Sequence, residues 1–240
     1  MNRFFLNDNI DSVNRITDKT DISHLRNSLR LKTGDEIEVV DGSGKESIMS
    51  IKNSSTDFVE LAFVRDVSIK REPDIRITVY QGIPKGQRMD YVVQKLTEIG
   101  VVKIVPVKFM RCVKDDINSA KMQRYKSIIK EAAMQSKRSI IPVLTEPMSF
   151  IRMIDDFENN EQNVTFYEEE TGHCVRDFVS SNKDVKSIGI VIGPEGGIDE
   201  REIELLRKSG IRTLTLGSRI LRTETAGLVA STIFIYEYDR

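Results

Sequence analysis

The segment IGIVIGPEGGIDEREIELLRKSGIRTLTL, residues 188–216, reads as one complete strand, loop, helix and strand. Ile188 to Ile192 is a short, continuously apolar run, as expected of a strand covered on both faces. Gly193-Pro194-Glu195-Gly196-Gly197 follows as a turn cluster. Asp199 carries an oxygen suited to cap the first amides of a helix, and Glu202, three residues on, completes a capping box. The helix runs to Lys208 and stops at Gly210, and Thr213 to Leu216 is the next strand. Such alternation implies a parallel sheet with right-handed crossovers.

Working back from this unit, the same alternation extends to Ile75. The strand Ile75 to Tyr80 leads into a loop from Gln81 to Arg88. A helix over Met89 to Ile99 places Val92, Val93, Leu96 and Ile99 on one face, and Gly100 ends it. Val101 to Val107 is a strand, and Ser119 to Gln135 is a long helix with Met122, Tyr125, Ile128, Ile129 and Ala132 on its apolar side. A strand near Val143, a helix from Phe150, a strand at Val164 to Tyr167 and a helix around Val175 to Val179 complete the series. The first seventy residues differ. Glu36 to Val40, Glu46 to Lys52 and Phe58 to Val64 read as short strands between turns, with one helical stretch from Thr20 to Leu29, which suggests a small β-barrel. The charged segment Asp66 to Asp74, containing Pro73, separates the two parts. The expected domains are residues 1–72 and 73–240.

The 240 residues include 36 basic and 37 acidic side chains, a net charge of −1. That balance excludes a chain coated in positive charge, and leaves room for a basic face offset by an acidic one. Apolar runs are a few residues long, too short for a membrane span. The N-terminus has no apolar signal region, so the expected location is the cytoplasm. Cys112 and Cys174 lack metal-ligand spacing and read as ordinary thiols, and no metal is expected. His24 and His173 have no partner motif and read as packing or surface residues. Met89, Met110, Met122 and Met134 read as core filler.

Two loops could carry chemistry. Gly193 to Gly197 sits at the carboxyl end of a strand, where open α/β sheets bind ligands. It lacks the Gly-Lys-Ser/Thr of a phosphate loop and the GxGxxG of a dinucleotide site. Its Glu195 opposes a phosphate and suits a ligand of positive character; a plain strand-to-helix turn is the alternative. The second, LGSRILRTETAG at residues 216–227, passes Arg219 and Arg222 and enters a helix through Thr223, Glu224 and Thr225. A threonine cap with a first-turn acid is its bland reading.

Together, IGPEGG at 192–197 and LGSRILRTETA at 216–226 resemble the bacterial small-subunit ribosomal RNA methyltransferases that modify a uridine at ring nitrogen 3. The resemblance extends to Lys85-Gly-Gln-Arg88-Met-Asp90, QKLTEIG at 94–100, Arg111-Cys112-Val113, Glu131 to Arg138, Arg3-Phe4-Phe5 and His24 to Asp35, in the family's order. Asn27-Ser28 departs from the apolar pair usual there. The resemblance implies an α/β protein with an N-terminal PUA-like β-barrel and a C-terminal SPOUT domain, trefoil-knotted, with a mostly parallel sheet. It implies S-adenosyl-L-methionine as methyl donor, 16S ribosomal RNA in the assembled small subunit as substrate, and a homodimer; Ala226 to Tyr236 is apolar enough to contribute an interface.

By the same resemblance the donor is held by Gly193, Glu195, Gly196, Gly197, Leu216, Gly217, Ile220, Leu221 and Arg222, with Glu168 at the ribose. Methylation at nitrogen 3 requires loss of an imide proton. Arg222 and Arg219 are expected to stabilise charge on the uracil oxygens, and Glu224 is the nearest candidate base, helix capping being its other role. RNA phosphates are expected to meet Arg3, Arg26, Arg30, Lys32, Lys85, Arg88, Arg111, Lys137 and Arg138.

Overall fold

The computed structural model describes residues 1–11, 13–112 and 117–239, so Val113 of the Arg111-Cys112-Val113 motif lies outside the described residues. The chain forms two compact units. The first comprises Met1–Glu72 together with Ala133–Ile140, and the second Pro73–Ala132 with Ile141–Arg240. The return of residues 133–140 to the first unit has no signature in the hydrophobic pattern.

In the first unit, β1 (Arg3–Phe5), β2 (Val13–Ile16), β3 (Glu36–Val40), β4 (Glu46–Ser54) and β5 (Val59–Val67) form a sheet in the order β1-β3-β4-β5-β2. All neighbours are antiparallel except the parallel pair β1 and β3. Because β1 and β2 are opposite edges, the expected barrel is a curled half-barrel. Register shifts at Ile48/Met49 and Ile51/Asn53 bend β4 against β5, as bulges do. The helical stretch expected at Thr20 to Leu29 is a short helix α1 (Lys19–Ser23), capped by Asp18, followed by a π turn at His24–Ser28. That widened turn keeps both Ile22 and Leu25 in the core.

Arg3 is fully buried at the edge of this core. Its guanidinium donates to Glu38 at 2.8 Å, to Glu46 at 2.6 and 3.2 Å, and to the carbonyls of Lys137 and Arg138 at 2.8 and 2.5 Å. Arg71 reaches the same two carboxylates at 2.9 and 3.1 Å. Burial pushes the Glu38 carboxyl up, but donation from Arg3 and Lys137 outweighs it and brings the group down to about 2. Arg138, also buried, is bound to Glu72 at 2.6 Å. Arg3 and Arg138 are therefore enclosed in ion pairs and not presented to RNA, which corrects the expectation for both. Lys137, with φ of 62°, pairs with Glu38 at 2.8 Å and belongs to the same network.

The second unit begins with β6 (Arg76–Gly82), α2 (Arg88–Ile99), β7 (Lys103–Lys108), α3 (Ser119–Gln135, whose last residues join the first unit), β8 (Val143–Leu144) and β9 (Met148–Ser149). Then come α4 (Phe150–Asp156), β10 (Gln162–Phe166), α5 (Val175–Ser181), β11 (Ser187–Ile192), α6 (Glu200–Lys208), β12 (Arg212–Leu214) and α7 (Thr223–Tyr238). All seven strands pair in parallel, in the order β12-β10-β11-β6-β7-β8 with β9 also on β7. The sheet is covered on both faces. Ile77, Val79, Ile188 and Ile190 meet α2, α5 and α7 through Val93, Phe178 and Phe234. Tyr80, Val105 and Val191 meet α4 and α6 through Met153 and Leu206. Parallel strands buried on both sides need such continuous apolar runs, which is why 188–192 is legible.

Local signals hold at the element ends. Asp199 and Glu202 form the capping box of α6, and Gly210 ends it with φ of 81°. Gly100 caps α2 at φ of 108°, where a Cβ would lie 2.7 Å from the Pro73 ring. Gln81 and Gly82, expected in a loop, extend β6 because they pair with Pro106 and Val107. Met110 is 57% exposed, so it is not core filler; only its backbone is engaged, donating to Glu202. No helix among the described residues is long and apolar enough to cross a membrane.

Removing Arg3 leaves Glu38 and Glu46 buried with fewer donors. Arg3→Ala is expected to cost about 3–5 kcal/mol of stability, read as a lower urea midpoint for the first unit; an unchanged midpoint refutes the account of this network.

Candidate active site

The site is built where β6, β10, β11 and β12 end. Ile192 closes β11, and the chain turns at once through Gly193-Pro194-Glu195-Gly196-Gly197. The three glycines answer different constraints. A Cβ at Gly193 would lie 2.7 Å from Ile198 Cγ1, against which the loop folds back. A Cβ at Gly196 would press on Arg111, 3.1 Å from its Cβ and 3.2 Å from its carbonyl oxygen. Gly197 has φ of 72° and would meet Glu168 Oε1 at 2.6 Å. Glu168, two residues past β10, therefore lies against the loop after β11.

The second loop leaves β12, bridges to Cys174 through Thr215, and turns at Gly217 with φ of 103°. Arg222 stands at the N-cap of α7 in extended conformation, without a side-chain cap. Thr223, which reads as a threonine cap in the sequence, is the first helical residue. Its hydroxyl donates instead to the Gly193 carbonyl at 2.6 Å, joining the two loops.

Two adjoining cavities flank the second loop, one of them between the two loops and the other between the second loop and the segment after β10. One, of about 350 Å³, is lined by Gly193, Glu195, Gly197, Ile220, Leu221, Arg222 and Glu224, with Arg88 and Thr223. The other, of about 420 Å³, is lined by Leu216, Gly217, Arg219, Ile220, Leu221 and residues 166–168, with Glu170, Thr171 and Thr215. Phe166, Glu168, Ile220, Leu221 and Ala226 line both. Among the residues expected to hold a donor, Gly196 alone lines neither, its face being covered by Arg111. Phe166, Thr171, Thr215, Thr223 and Ala226 enter the site without having been singled out as ligands. Thr223 and Ala226 lie within the 216–226 motif, whereas Phe166, Thr171 and Thr215 lie outside both loop motifs.

The electrostatics centre on Arg88. Its guanidinium binds Glu195, which also accepts the Lys85 backbone N–H at 2.8 Å, and its Nε lies 3.7 Å from Glu224 Oε1. Burial pushes the Glu195 carboxyl up, but the backbone amides of Glu195 and Lys85 and the Arg88 guanidinium outweigh it, leaving the group below its ordinary range. Glu224 Oε2 is buried with no hydrogen-bond partner. Arg219 and Arg222 are exposed to solvent at the same rim. Arg111 braces the first loop, donating to the Gly196 carbonyl at 3.3 Å and lying 3.5 Å from Asp199. The Glu202 carboxyl, buried behind them, is pushed up by desolvation although it accepts two backbone amides. Arg26, Arg30 and Lys32 in the first unit, and Lys85 in the second, are exposed.

A family model described as an RNA methyltransferase domain matches residues 70–235, and one described as an RNA methyltransferase PUA domain matches residues 16–63. The ribosomal RNA small subunit methyltransferase E of Bacillus subtilis (strain 168) is 33% identical over 226 residues, covering 91% of this chain and 88% of that protein. The protein of the same name from Buchnera aphidicola is 32% identical over 209 residues, covering 85% and 80%. A crystal structure of ribosomal RNA small subunit methyltransferase E from Neisseria gonorrhoeae, bound to S-adenosyl methionine, matches with a TM-score of 0.87 at 29% identity, over 98% of this chain and 96% of that one. With a half-barrel unit, an all-parallel sheet and a two-loop cleft at its carboxyl edge, the chain belongs to the ribosomal RNA small subunit methyltransferase E family.

Proposed function

We propose that the chain transfers the methyl group of S-adenosylmethionine to ring nitrogen 3 of a uridine in 16S ribosomal RNA. The observation that carries this reading is the meeting of the 193–197 and 216–222 loops around shared walls at Phe166, Glu168, Ile220 and Leu221. Those residues fit the donor's chemistry. Phe166, Ile220, Leu221 and Ala226 offer apolar surface to an adenine, loop backbone offers hydrogen bonds to its edge, and Glu168 offers a carboxylate to ribose hydroxyls. Glu195, ionised below its ordinary range, sets negative potential beside a cationic ligand. When bound, the donor supplies an electrophilic methyl group.

The acceptor side falls to Arg219, Arg222 and Glu224. A uracil ring retains its imide proton at neutral pH, so the enzyme has to favour the anion. Exposed guanidiniums at the rim supply fixed positive charge where the ring oxygens gain negative charge. Glu224, a half-buried carboxylate beside Arg88, is the base in this reading. RNA phosphates are met by Arg26, Arg30, Lys32 and Lys85, all exposed, while Arg88 and Arg111 are engaged with the first loop. Cytoplasmic location, the assembled small subunit as substrate and a homodimer complete the reading. The last is supported by the apolar side chains of Ile220 and Tyr236, 83% and 82% exposed, near the two ends of α7.

Incubating the protein with small subunits and labelled donor, then digesting the RNA for mass spectrometry, is expected to show label in N3-methyluridine; label in ribose or another base refutes the assignment. Arg222→Ala is expected to lower kcat by about a hundredfold or more, and Glu224→Gln by a similar factor. Wild-type turnover in both variants removes these roles. The double substitution Arg26→Ala, Arg30→Ala is expected to weaken RNA binding and reduce its salt slope by about one for each arginine; wild-type affinity across salt concentrations counts against the patch.

A further inference from the structure

We infer that Gln81 and Thr223 are positioning residues, forming a directed hydrogen-bond relay that fixes the separation of the two donor loops. The inference rests on the reading of those loops as the donor site. Gln81, the penultimate residue of β6, is completely buried and outside both cavities. Its Nε2 donates to the Gly82 carbonyl at 3.0 Å and to Thr223 Oγ1 at 2.7 Å. Both amide hydrogens are thereby used. The opposite orientation of the amide would set two carbonyl oxygens against each other, so the Gly82 carbonyl decides which end is nitrogen. Thr223 Oγ1, accepting from Gln81, has one hydrogen, and it goes to the Gly193 carbonyl at 2.6 Å. An amide N–H only donates and a carbonyl only accepts, so a hydroxyl at position 223 can relay between them where an apolar side chain cannot.

The surrounding backbone closes on this relay. A Cβ at Gly82 would lie 2.5 Å from the Pro194 nitrogen, and a Cβ at Gly227 would lie 3.2 Å from Gln81 Oε1. The end of β6, the start of the first loop and the first turn of α7 are thus drawn onto one buried amide. Gly193 opens the loop after β11, and Thr223 directly follows the loop from Leu216 to Arg222. Their bond holds the two walls of the 350 Å³ cavity at one spacing. Since a misplacement of about 1 Å in a catalytic constellation can cost about a hundredfold in rate, such a tie has kinetic consequences through loop spacing, and Gln81 exerts them from outside both cavities.

The test compares Thr223→Val, Thr223→Ser and Gln81→Met, the last keeping volume while removing the polar head. Hydrogen exchange read by mass spectrometry, without donor, is expected to speed at residues 193–197 and in the first turn of α7 in the valine and methionine variants. Exchange in β7, β10 and α6 stays as in the wild type, and Thr223→Ser restores the wild-type pattern. Titration with S-adenosylmethionine is expected to show at least tenfold weaker binding in the valine and methionine variants and near-wild-type binding in the serine variant. Combining Thr223→Val with Gln81→Met should lose no more than either alone, because one relay is broken once. Wild-type loop exchange in Thr223→Val, or a serine variant as impaired as the valine one, overturns the inference. Should the wild type bind no donor while loop exchange still responds as stated, the relay stands and the proposed function falls.

Discussion

The parallel strands β6 and β11 leave the sheet side by side, and the space between their ends is the constraint from which the cleft follows. Their register pairs Ile77 with Ile188, Val79 with Ile190 and Gln81 with Ile192. One step further, a Cβ at Gly82 would lie 2.5 Å from the Pro194 nitrogen and 2.8 Å from the Gly193 carbonyl carbon. These neighbours are backbone atoms, which cannot swing aside as a side-chain end can. The loop after β11 can therefore cross the end of β6 only over a glycine. Once it crosses there, the Gly193 carbonyl meets the Thr223 hydroxyl and the origin of α7 is set.

Packing of α7 obeys the same geometry. Gly227 faces Gln81 Oε1 and Ile192, and Ala230 and Phe234 continue the buried side into the core shared with α2 and α5. A larger residue at 227 would lift the first turn of the helix from β6 and carry the second loop with it. Burial of Phe234 against Phe166 and Phe178 is thus coupled to the position of Arg222 and Glu224, about three turns away along the helix. The core of the domain and the rim of the cleft are one construction.

The alternation of strands and helices was legible because the central strands β6, β7 and β11 carry continuous buried runs, and the helix ends carry local devices that need no partner: Asp199 with Glu202, Gly100, Gly210. The half-barrel closure was not legible, since strand periodicity does not say whether the outermost strands pair. Nor was the return of residues 133–140, which is fixed by the Arg3 contacts to the Lys137 and Arg138 carbonyls more than 130 positions away in the chain. The same long-range bonding explains why Arg3 and Arg138 read as basic surface. A sequence displays an arginine's charge but not the carboxylates that meet it, and here Glu38, Glu46 and Glu72 do so in the interior. At the cleft, the residues with motif character, Gly193, Glu195, Gly197, Leu221 and Arg222, could be read. Gln81 could not, because its function depends on a hydroxyl 142 positions away.

The glycine-rich turn at 193–197 invites comparison with loops that cradle phosphate, and its physical chemistry points the other way. A phosphate loop spends its glycines on turning successive N–H groups toward an anion. Here Gly193 yields to Ile198, Gly196 to the Cβ and carbonyl of Arg111, and Gly197 to Glu168 and its own positive φ. Two amides near the loop, those of Glu195 and Lys85, are already turned onto the Glu195 carboxylate, and Arg88 is bound to the same group. The charged groups lining the cavity are the carboxylates of Glu168, Glu195 and Glu224 and the guanidiniums of Arg88 and Arg222. This excess of carboxylate over guanidinium disfavours a phosphate and favours a cation, more so at low ionic strength. The loop that resembles an anion cradle in outline is thus built to receive a ligand with a positive centre.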